Sequence, residues 1–67
     1  MLSARNQLQG TVKSVKIGTV MAEVVIAVGE IEIVAAITAG SVKSLKLKKG
    51  DQVKAIIKAT EVMVAKD

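Results

Sequence analysis

The sequence predicts an all-β fold, a small five-stranded barrel with one short helix between its third and fourth strands. Three observations predict it. Val and Ile crowd into short runs set apart by glycine-containing turns. Helical spacing is confined to a few residues after Thr38. The resulting order, three strands, a helix and two strands, is one that a closed barrel accommodates and a helical bundle does not.

Taken in order, Gln9 to Ile17 mixes β-branched residues with lysines and has no helical stripe, as a half-exposed strand does. Gly10 within it is the candidate bulge. Gly18-Thr19 is expected to make a tight glycine-first turn into a second strand, Val20 to Val28. Gly29-Glu30 makes the next turn, and the third strand, Ile31 to Thr38, becomes continuously apolar toward its end. From Ala39 to Leu47 the apolar Val42 and Leu45 stand three apart with lysines on the other side, and Thr38 and Ser41 precede them as possible N-caps, so one or two helical turns fit. Lys48 to Asp51 is a turn. Gln52 to Lys58 is the fourth strand, with Val53, Ala55 and Ile57 on one face, and Glu61 to Ala65 is the fifth. That element order is the order of the OB-type barrel, and closure removes the free edges that so much Val and Ile would expose.

The 67 residues bound the chain to a single domain, 1–67, with a small core. The sequence has no cysteine and no histidine, so neither a disulfide nor a structural zinc site stabilises it. With 51% hydrophobic residues and no aromatic ring, association between copies is the remaining source of stability, and a homo-oligomer is expected. Ten Lys and Arg against six acids leave +4, which favours anionic partners. Glu23, Glu30 and Glu32 interrupt the most apolar region, so no membrane span is expected. The N-terminal residues lack a basic start followed by an apolar run, which points to the cytoplasm.

Two segments do not serve the barrel. Ser3-Ala4-Arg5-Asn6-Gln7 and Ile57-Lys58-Ala59-Thr60 are runs of small residues and hydrogen-bond donors, each with one cation and no acid. Ser3 offers a hydroxyl, Ala4 and Arg5 accessible N–H groups, Arg5 a permanent charge, Lys58 an ammonium and Ala59 a further N–H. Thr38 and Ser41 add hydroxyls where the helix begins. Convergent donors with positive charge and no carboxylate suit a tetrahedral dianion. Each residue also has a plainer role: Arg5 and Lys58 as solvated cations, Thr38 and Ser41 as helix caps, Asn6 as a turn former, and the lysines at 43, 46, 48 and 49 as a solvated face.

The segments Ser3-Ala4-Arg5-Asn6-Gln7-Leu8, Gly10-Thr11-Val12, Ala22-Glu23-Val24, Ala36-Ile37-Thr38 with Ser41, Leu45-Lys46-Leu47 with Gly50, and Ile57-Lys58-Ala59-Thr60 together resemble the molbindins, the stand-alone Mop or TOBE-like domains historically called molybdopterin-binding proteins. The resemblance covers essentially the whole chain. It implies an OB-like fold, a homohexamer built as three dimers, and molybdate, with tungstate beside it, bound between subunits. It further implies that Ser3, Ala4, Arg5, Thr38, Ser41, Lys58 and Ala59 line that site, with Asn6 and Thr60 as neighbours. The expectation is that Ser3 to Arg5 meets a neighbouring subunit's Lys58 and Ser41, with the bound oxyanion as ligand and no catalytic cofactor. Storage, homeostasis or delivery of the anion are the roles such a chain can fill.

Other functions fit the residues less well. A nucleic-acid-binding OB module stacks bases on aromatic side chains, worth ~1–3 kcal/mol per base, and this chain has none. A pterin cofactor favours a planar partner and a hydrogen-bonding carboxylate. Catalysis is not expected: without His, Cys or Tyr, no acid–base pair or activated nucleophile stands out.

Overall fold

The computed structural model describes residues 4–67. Strands β1 (Asn6–Ile17), β2 (Met21–Val28) and β3 (Ile31–Thr38) form a meander, followed by helix α1 (Ala39–Leu45), strand β4 (Gln52–Ile57) and a 3₁₀ turn (Ala59–Glu61). The sheet order is β3-β2-β1-β4, antiparallel throughout. β1 serves two partners in succession. Its first half pairs with β4, from Asn6 opposite Ile57 to Thr11 opposite Gln52. Its second half pairs with β2, from Thr11 opposite Ala27 to Ile17 opposite Ala22.

The changeover carries the bend. A bulge falls between Val12 and Ser14, and the backbone of Val12 turns to the β4 approach, accepting from Gly50 N and donating to Asp51 O, both at 2.8 Å. The bulge is therefore not at Gly10. That glycine is buried in a regular ladder position opposite Val53. A Cβ on it would lie 2.6 Å from Ile26 Cγ2 and 2.7 Å from the Ala27 carbonyl oxygen, so the residue permits close approach of β2. The glycine-first tight turn is at Gly29-Glu30, where Gly29 has φ +60. The β1–β2 connection is longer, with Gly18 N donating to Met21 O at 2.8 Å.

Alternation along β2 places Ala22, Val24 and Ile26 inward, where they meet Val12, Ala55 and, from α1, Val42. As the alternation along β4 requires, Val53, Ala55 and Ile57 share the less exposed face. The helix departs from expectation in one respect: Leu45 is 65% exposed, and Leu47 packs on the core in its place. The cause is the left-handed Lys46 (φ 53, ψ 41) that ends α1 and turns the chain so that Leu47 faces inward, its N–H bonding Val42 O.

The expected fifth strand does not form. Residues 59–61 make the 3₁₀ turn, and residues 62–67 follow without regular structure and exposed. The sheet therefore has four strands rather than five and stays open between β3 and β4. The architecture is the OB-like one with one position in the barrel wall unfilled.

Candidate functional site

The last rung between β1 and β4 is Asn6 opposite Ile57. Beyond it the next residues in line are Arg5 and Ala4 on one side and Lys58 and Ala59 on the other. The two donor-rich segments thus stand side by side at one end of the sheet, within one chain. The expected site pairs the N-terminal segment with a neighbouring subunit's Lys58; within the single chain the β1–β4 register also stands the segment beside its own Lys58. The bend at Arg5 is held by Gln7, whose Nε2 donates to the Ala4 carbonyl at 2.9 Å. Gln7 closes the donor-rich run, and its place three residues after Ala4 allows this bridge. Ala4 and Asn6 are half-buried, and Arg5, Lys58, Ala59 and Thr60 are exposed. Ser3 lies outside the described residues.

Lys58 precedes the 3₁₀ turn with extended backbone, and its carbonyl accepts from Glu61 N at 2.9 Å. Among the described residues the one ion pair joins Lys13 to Glu32, on the sheet surface. Arg5 and Lys58 take part in none, which leaves both cations available to an anion.

Thr38 and Ser41 form the second cluster, at the junction of β3 and α1. Thr38 is the N-cap: its Oγ1 accepts from Ser41 N at 3.0 Å and donates to Ser41 Oγ at 2.7 Å. Two consequences follow. The Thr38 hydroxyl is occupied in organising the cap, and the Ser41 hydroxyl, which accepts from Thr38, keeps its own proton free to donate outward. Ala39 N bonds Val20 O at 2.7 Å, fixing the helix start on the β1–β2 connection.

Within one chain the two clusters stay apart. Thr38 is level with Met21, beside the end of β1, whereas Arg5 adjoins its beginning. The hydrogen bonds of the Thr38 and Ser41 side chains are to each other. A groove of ≈ 640 Å³ runs along the open side of the sheet, walled by β3 and β4; its lining is mostly aliphatic and includes Ala4 and Lys58 of the first cluster. Beyond the end where Ala4 and Lys58 stand, the aliphatic walls offer a dianion few donors. No group of His, Cys, Asp or Glu suited to a metal cation occurs among the described residues, and no helix is long and apolar enough to cross a membrane.

The TOBE domain model matches residues 2–64. Molybdenum-pterin-binding protein 3 of Clostridium pasteurianum is 44% identical over 64 residues, spanning 94% of each chain. A probable molybdenum-pterin-binding protein of Haemophilus influenzae is 45% identical, spanning 94% of this chain and 93% of that one. Among solved structures, a molybdate-binding protein from Sporomusa ovata is 50% identical with a TM-score of 0.95 over 98% of both chains. MopII from Clostridium pasteurianum is 42% identical with a TM-score of 0.93, covering 98% of this chain and 100% of that chain. The cytoplasmic molybdate-binding protein ModG, in a form with molybdate bound, is 47% identical with a TM-score of 0.83, covering 88% of this chain and 43% of that one.

Proposed function

The chain belongs to the TOBE-domain family, and from that premise we propose that it binds molybdate, and tungstate with it, at sites shared between subunits. The observation that carries this reading is the rung between Asn6 and Ile57, next to which Ala4, Arg5, Lys58 and Ala59 gather donors and two unpaired cations at one end of the sheet. A small dianion accepts from such groups, and the aliphatic side chains of Ala4 and Ala59 let it approach the backbone.

One cluster does not surround a tetrahedral anion. The Thr38–Ser41 cap supplies the missing hydroxyl donor, and since it stands away from Arg5 in its own chain, a neighbouring chain supplies it. Each site then takes Ser3, Ala4, Arg5, Lys58 and Ala59 from one copy, with Asn6 and Thr60 beside them, and Thr38 and Ser41 from the next. A homohexamer of three dimers, cytoplasmic and formed of single-domain chains, fits this division. The role is storage, homeostasis or delivery of the anion, without catalysis or a catalytic cofactor.

Equilibrium dialysis with molybdate in phosphate-free buffer tests the reading. Uptake by the wild-type chain, falling at least tenfold in Arg5→Ala and in Lys58→Ala, is the expected result. No uptake by the wild-type chain contradicts it. The names of the relatives favour a second reading, a molybdenum–pterin cofactor as ligand. The 0% aromatic content leaves no ring to stack on a pterin, and competition between free molybdate and the cofactor in the same dialysis separates the two.

A further inference from the structure

The two clusters of donors differ in how they are held. Ser41 sits in the first turn of α1, and its N–H and hydroxyl are both bound to Thr38 Oγ1, at 3.0 and 2.7 Å. Ala4 and Arg5 have no such support from a helix. They lie beyond the last rung of the β1–β4 ladder, Asn6 opposite Ile57, and close to a chain end, where backbone order is lost most easily. Among the described residues one side chain ties this stretch down: Gln7, whose Nε2 donates to the Ala4 carbonyl at 2.9 Å. Gln7 is itself anchored, since its backbone stands opposite Ile56 within the ladder.

The tie fixes a direction. The Ala4 carbonyl and the Arg5 N–H belong to one planar trans peptide, in which they point opposite ways. Holding the carbonyl on the Gln7 side aims the Arg5 N–H to the other side. It also keeps the carbonyl oxygen, the negative end of that dipole, away from any anion that the N–H receives. A half-turn of this peptide reverses both, and offers a dianion an oxygen where it needs a donor. Building on the proposed oxyanion site, we infer that Gln7 is a positioning residue for it: without touching the anion, its side chain locks the Ala4–Arg5 peptide in the orientation that presents the Arg5 N–H to the ligand. The lock is in place before the ligand arrives, so binding does not have to order the segment. The Gln7 side chain is exposed and adds nothing to the core, so its removal weakens binding without unfolding the chain.

Gln7→Met keeps the length of the side chain, removes the donor and leaves the charge unchanged. In isotope-labelled, ligand-free protein the heteronuclear NOE of the Arg5 amide is expected to fall in the variant, with the melting temperature unchanged. In dialysis the Kd for molybdate is expected to rise about three- to tenfold, the worth of one hydrogen bond. An Arg5 amide equally ordered in both chains overturns the inference. So does an unchanged affinity in Gln7→Met alongside a wild-type chain that binds molybdate. An affinity loss matched by a fall in the ligand-free melting temperature assigns Gln7 to the fold and overturns it as well. A wild-type chain that takes up no molybdate contradicts the oxyanion site itself, and the positioning role with it.

Discussion

β2 and the segment from Glu61 to Ala65 are built from the same kind of residue, Val and other small aliphatics around a glutamate, and have opposite fates. β2 has a partner on each side and buries Ala22, Val24 and Ile26. The later segment has none in its own chain and leaves Met63 and Val64 at 93% exposure. Composition makes a stretch fit to be a strand; a neighbouring edge makes it one. The difference also separates apolar residues whose surface is covered within the chain from apolar residues left exposed, and substitutions make that separation measurable.

The largest effect is expected at Val24, which is 2% exposed in the middle of β2. Val24→Asp puts an unpaired carboxylate into a core with no polar partner, at a cost of about 4 kcal/mol or more, and thermal denaturation finds no cooperative transition. The same change at Val64 leaves the fold of the chain intact. Gly10→Ala is next. The Ala27 backbone oxygen at 2.7 Å cannot rotate away from a new Cβ, so β1 and β2 separate and stability falls by ~1–3 kcal/mol in urea titration. Thr38→Ala removes the α1 cap and costs about 1 kcal/mol, whereas Thr38→Ser keeps the oxygen and most of the stability. The smallest effect has the opposite sign: Lys46→Gly relieves the left-handed backbone at the end of α1 and raises stability by ~0.5–1 kcal/mol.

Most of the fold was legible in the sequence because it is written in local patterns. Richness in Val and Ile after a glycine turn marked β2, alternation marked β4, and Thr38 and Ser41 marked the helix start. Three features turned on distant neighbours instead. Gly10 reads as a bulge in isolation, and only the closeness of Ile26 and Ala27 shows why a side chain is excluded. Leu45 has the spacing of a buried residue, but Lys46 ends the helix and gives that place to Leu47. The fifth strand was read from apolar content alone. For the site, the donor inventory pointed to both segments, and the register of β1 against β4 shows that their ends lie side by side within the chain.

The claim that two half-sites on different copies hold one oxyanion is tested most directly by complementation. Arg5→Ala chains lack the first half and Ser41→Ala chains the second, so neither alone retains molybdate in dialysis. Refolded together, they form some interfaces at which an intact first half meets an intact second half, roughly a quarter of the total for random pairing. The account predicts that the mixture regains molybdate uptake in about that proportion of the wild-type capacity. A mixture that takes up no more than its components, alongside a wild-type chain that binds, contradicts it.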